Sequence, residues 1–189
     1  MLKPAVACLA LFAAPAGAGD FCHDLWYTRN AIMDRAGYCF GSALGQAVFG
    51  TGPCIGKSVS LTPQDQQRVA QIQGMERDMS CRVNTKQHHL DLDDLHIRRQ
   101  LSDLPIPDEI QGACLGWMGP ATALHAGHSE ASPVIGQILP DDTVSYSHWP
   151  DAGWTYVTTS AGHGDWRVKS GGWLNYEKAG EVPCRDFAG

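Results

Sequence analysis

Tyr146, Trp149 and Trp166, with Arg29 and Arg35 far upstream, are the side chains of this 189-residue chain best suited to holding a ligand. Trp149 sits between His148 and Pro150, and Trp166 between Asp165 and Arg167, in stretches that read as loops. An indole in a loop can stack on a sugar or a peptide while its N–H finds a polar partner. With Tyr146 these two tryptophans are expected to form one groove. Arg29, Asn30 and Arg35 recur at helical spacing and could offer a guanidinium pair to a carboxylate or a sugar. The competing reading is structural: Arg29 and Asn30 bond backbone carbonyls of the following loop, while Trp26, Tyr38, Phe40 and Phe49 fill a core.

Other reactive patterns are thinner. His88, His89, Asp91, Asp93, Asp94 and His96 supply imidazoles and carboxylates, which suit several divalent ions. They form no H-E-x-x-H or related helical motif, so the stretch reads as an exposed acidic connector, and no metal or cofactor is expected. The pairs Asp93-Asp94 and Asp141-Asp142 fall in turn-like sequence, where aspartate bonds its own backbone. There is no G-x-S-x-G elbow, no phosphate loop and no cysteine free to act as a nucleophile. No enzymatic activity is expected.

The elements that position these residues begin with a leader. Met1-Leu2-Lys3 is a short basic head, residues 4–14 are apolar apart from one proline, and Ala16-Gly17-Ala18 offers a cleavage site. That is the pattern of a secretory signal peptide over 1–18, and it places the mature chain in the periplasm or outside the cell. No segment approaches the roughly 20 apolar residues of a membrane helix. Twenty acidic against fourteen basic residues, a net charge of -6, disfavours nucleic acid as a partner.

Export gives the cysteines their meaning. Beyond Cys8 in the leader, Cys22, Cys39, Cys54, Cys81, Cys114 and Cys184 form an even set in an oxidising compartment. The absence of C-x-x-C argues against a zinc knuckle or a redox pair.

Punctuation divides the rest. Asp20 or Asp24 caps a helix that runs to about Arg35, with Gly37 as its left-handed stop. Ser42 starts a short helix through Phe49, closed by Gly50. Thr62-Pro63-Gln64-Asp65 starts another, continued at helical spacing by Val69, Ile72 and Met79. Residues 20–82 thus read as a small helical unit bracketed by cysteines. Pairing Cys22 with Cys81 would contribute about 4 kcal/mol by loop entropy, and Cys39 with Cys54 about 3 kcal/mol. Residues 83–112 are a connector marked by two prolines near Pro105. From Cys114 the pattern becomes short aromatic and β-branched runs, "PVIGQIL", "TVSYSHW", "WTYVTT" and "WRVKSGGWLNY", separated by turn residues. A small closed barrel over 113–189 fits them, its ends tied by Cys114 and Cys184. Trp154 and Trp173 belong in its core. The fold class is α+β.

Two family resemblances attach to these units. "DLWYTRNAIMDRAGYCF" and "LTPQDQQRVAQIQ" resemble the YARHG domain of exported bacterial proteins, with Met33-Asp34-Arg35-Ala36-Gly37-Tyr38 standing where that family runs Tyr-Ala-Arg-His-Gly-Tyr. Arginine, glycine and the last tyrosine are kept, while the first tyrosine and the histidine are not. "LHAGHSEASPVIGQI", "GWTYVTT" and "GGWLNY" resemble a bacterial SH3-like domain over about 114–187, although His125-Ala126-Gly127-His128 replaces the usual opening. The YARHG resemblance implies an exported envelope protein, the SH3-like one implies a fold and no ligand, and with the aromatics of the second half the favoured reading is an exported, non-catalytic binding module for peptidoglycan or another envelope component. Its partner would be a cell-wall glycan or peptide, or an envelope protein. The alternatives are a periplasmic enzyme or enzyme inhibitor, or a structural interaction subunit.

Overall fold

Caps and stops set the helical half. The computed structural model describes residues 18–162, 166–180 and 184–189, so the signal-peptide reading lies outside the described residues apart from Ala18. Helix α1 (Ala18–Arg35) ends where Gly37, at φ 87°, turns the chain and Tyr38 N–H bonds Met33 O at 3.0 Å. It begins earlier than an Asp24 cap would allow; Asp24 lies within the helix, buried and paired with Arg98. Helix α2 (Ala43–Phe49) starts at Ser42, whose Oγ accepts Gly45 N–H at 3.1 Å. Helix α3 (Pro63–Asp78) starts at Thr62, with Asp65 N–H donating to Thr62 Oγ1 and the hydroxyl donating back to Asp65.

These helices pack Leu25, Trp26, Ile32, Leu44, Val48 and Ile72 into one core, which Leu90 and Leu104 join from the next segment. Among the described residues three disulfides fix the chain: Cys22–Cys81 ties α1 to the segment after α3, Cys39–Cys54 closes the loops flanking α2, and Cys114–Cys184 staples two strands.

The second half is one antiparallel sheet. Its strands are β1 (Pro107–Trp117), β2 (Thr122–His125), β3 (Val134–Ile138), β4 (Thr143–His148), β5 (Trp154–Ser160), β6 (Ser170–Asn175) and β7 (Cys184–Ala188). Spatially they run β3-β2-β6-β5-β4-β1-β7. The sheet is therefore open, which corrects the expected closed barrel. Strand β7 pairs along β1, with Cys114 opposite Phe187 and Trp117 opposite Cys184, so the disulfide staples neighbours and closes no ring. Strand β1 starts at Pro107, inside the stretch read as connector; "PDEIQGAC" lacks the alternation that announces a strand.

What remains of the connector is docked. It forms helix α4 (Leu95–Arg98) and lays Leu101 onto Trp154, Tyr156 and Trp173. On that side the indole of Trp173 donates to Asp103 O at 2.8 Å. A separate core of Cys114, Trp117, Leu124, Ile138, Val144, Val157 and Leu174 fills the sheet, with the short helix α5 (Tyr176–Ala179) packed beside it.

Candidate functional site

Trp149 leaves the end of β4 and is held by its N–H bond to Ile106 O at 2.9 Å. Beyond Pro150, Asp151 and Trp154 exchange both backbone hydrogen bonds at 2.8 Å across Ala152-Gly153. Both central residues have positive φ, 49° and 80°, the geometry of a type I′ turn. The loop is thus built, and its indole, 39% exposed, stands at a groove of about 270 Å³ between α3 and the sheet.

The opposite wall comes from α3. Gln64, Gln67 and Gln71 are three and four residues apart, so they share one helix face. All three are exposed, and none makes a side-chain hydrogen bond among the described residues. Each amide offers a carbonyl acceptor and two N–H donors. Arg68 reaches across to Leu104 O while its buried Nε lacks a partner among the described residues. Asp151 supplies a carboxylate at the rim, with His128 Nδ1 3.8 Å away and the His128 ring edge-on to Trp173. Gly127 lets the chain pass close to the connector: a Cβ there would strike the side-chain oxygens of Asp103 and Ser102.

The structure does not bring Trp149, Trp166 and Tyr146 into one groove, and the arginines expected to act as a pair are engaged elsewhere. Tyr146 lines a different cavity, with Tyr176 and Phe187 beside β7, and burial pushes its phenol up to about 12. Trp166 is 57% exposed and lines neither cavity. The guanidinium of Arg29 is taken by Glu76, with Nε 3.0 Å from both carboxylate oxygens, which clamps α1 to α3. Arg35 donates to Leu101 O and Ser102 O at 2.6 Å each and holds the connector. Asn30 bonds Trp26 O at 2.7 Å. Both arginines are thus engaged within the protein, away from Trp149.

A buried ionic cluster, absent from the sequence reading, joins the two halves. Arg98, 2% exposed, places Nη1 and Nη2 at 2.6 Å from the two oxygens of Asp24 on α1 and Nε at 2.8 Å from Asp94. His148 Nε2 from β4 stands 2.8 Å from Asp24 and 2.7 Å from Arg98. The hydroxyl of Tyr156 from β5 donates to Asp94 at 2.8 Å. Burial pushes the Asp24 carboxyl up, but Arg98 and then His148 outweigh it and hold it below the usual carboxylate range. Burial and Asp94 push the Tyr156 phenol far up. Each member is bonded to another, so the cluster ties α1, α4, β4 and β5 together.

Among the described residues no three His, Cys, Asp or Glu side chains converge on a possible metal position. His88, His89, Asp91, Asp93 and His96 are exposed, whereas Asp94 turns inward. The Gln64, Gln67, Gln71 spacing puts the three amides on one face of α3, and only the packing of α3 against the sheet makes that face a wall of the groove.

A disulfide-stapled helical unit whose connector locks it onto an open antiparallel sheet defines a two-part α+β protein. Residues 80–189 match the family described as a domain of unknown function, DUF4453, and the chain, more than half of which is matched, belongs to that family. Residues 4–77 match the YARHG domain. The second half is thus DUF4453, and no SH3-like domain is identified there. No curated protein and no solved structure matches the chain.

Proposed function

We propose that this protein is an exported, non-catalytic binding module for a cell-envelope glycan or peptide, and that the Trp149 groove is its binding surface. One observation carries the reading: the partly exposed indole of Trp149, two residues before a fixed turn, lines one groove with a row of unengaged glutamine amides. That arrangement suits a sugar or a peptide backbone, whose apolar faces stack on an aromatic ring while its hydroxyls or amides exchange hydrogen bonds. Three disulfides, the YARHG match and the leader-like start of the sequence support export. Among the described residues no helix is long and apolar enough to cross a membrane.

Soluble muropeptides, the disaccharide-peptide fragments of peptidoglycan, provide the test. Titrated into the mature chain, they should move the Trp149 indole and the Gln64, Gln67 and Gln71 side-chain amide resonances together. Movement confined to Tyr146 or Trp166, or no movement at all, would remove the groove from the account.

A further inference from the structure

A separate cavity of about 310 Å³ lies beside β2, β6 and α5 and shares no lining residue with the Trp149 groove. Trp117 and Leu174 form part of its apolar wall, and His125, Glu130, Asn175 and Lys178 bring polar groups to it. The indole of Trp117 donates to Pro120 O at 2.9 Å, so its nitrogen is already satisfied.

His125 is only 7% exposed. Its Nδ1 lies 3.0 Å from Ser132 O, and a carbonyl only accepts, so Nδ1 carries a proton. In the neutral ring that leaves the lone pair on Nε2. This atom makes no hydrogen bond among the described residues; the carboxylate Oε2 of Glu130 stands 3.9 Å away. The ring packs edge-on to Trp154 at 5.5 Å, which fixes its direction. Glu130 is anchored in turn: Lys178 Nζ donates to Oε2 at 3.1 Å and Asn175 Nδ2 to Oε1 at 3.0 Å. Those two bonds, from Lys178 first and then Asn175, hold its carboxyl below the usual range.

Two acceptors have no proton to share, but at 3.9 Å apart one ammonium bonding each at about 2.9 Å bridges them. Between those two atoms a carboxylate would meet an acceptor on each side, and the ammonium of Lys178 that it could pair with is already bonded to Oε2 at 3.1 Å. The geometry points to this cavity as a second ligand site, taking a small primary amine with an apolar body: the amine between His125 and Glu130, the body against Trp117 and Leu174. The site stands independently of the Trp149 groove.

Phenethylamine is the probe, and phenylacetate, similar in size but with an accepting head group, is its counterpart. In long-range proton–nitrogen NMR spectra of the mature chain at fixed pH, phenethylamine should move the His125 Nε2 resonance saturably, with half-saturation below about 10 mM. Phenylacetate should leave it in place. Glu130→Gln, at a half-exposed carboxylate, should keep the fold by circular dichroism and raise the half-saturation concentration about tenfold. The site is overturned by an Nε2 resonance unmoved at about 10 mM phenethylamine, by equal movement with phenylacetate, or by unchanged half-saturation in Glu130→Gln.

Discussion

Arg98 shows how much one buried side chain can decide. Its guanidinium reaches α1 through Asp24, its own turn through Asp94, and β4 through His148. Removing one partner from such a cluster leaves charges buried without compensation, which costs about 3–5 kcal/mol. Arg98→Ala should therefore lower the stability in urea by that amount, and a loss below about 1 kcal/mol would show the cluster to be incidental. The same chemistry gives a sign for pH. Asp24 is held below its ordinary range, so its contribution is present above the unfolded carboxylate value of about 3.9 and is lost as pH falls through the folded one. Acid titration should bring a stability loss below about pH 4 that is absent in Asp24→Asn, itself less stable at neutral pH; parallel acid curves for the two proteins would contradict this.

At the scale of elements, local chemistry sets boundaries and distant partners set the exceptions. Thr62 and Asp65 satisfy each other at the start of α3, the helix that carries the glutamine row. Thr62→Ala should cost about 1 kcal/mol in chemical denaturation, and a change within about 0.2 kcal/mol would mean that the disulfides and core alone define that end. Such caps are why α2 and α3 were legible in the sequence, as were the runs that became β3, β4, β5 and β6. The start of α1 was not, because Asp20 and Asp24 both read as its cap; both lie inside the helix, and the partner of Asp24, Arg98, is 74 residues away. Strand β1 was obscured by "PDEIQGAC", whose regular pairing with β4 begins only at Gly112. Of the groove, Trp149 was visible as a loop aromatic, but its glutamine wall required α3 to be packed against the sheet. Tyr146 was grouped with Trp149 by proximity in sequence, yet the fold assigns them to different cavities.

For the whole molecule, the connector makes two family regions one structure. Arg35 and Arg68 donate to connector carbonyls from the helical side, Leu101 packs on the sheet, and Trp173 bonds back to Asp103 O. The Trp149 groove exists only because of that docking, since one wall is α3 and the other is the sheet. On the proposed function, a binding surface made from both regions would give their union in one chain a physical purpose. The most direct measurement is sedimentation of the oxidised mature protein with insoluble peptidoglycan, beside Trp149→Ala, with the supernatant analysed for released fragments. The wild-type chain should pellet, Trp149→Ala should stay largely in solution, and no fragments should appear. Equal pelleting of the two proteins, failure of both to pellet, or fragments released by the wild type would contradict the proposed function.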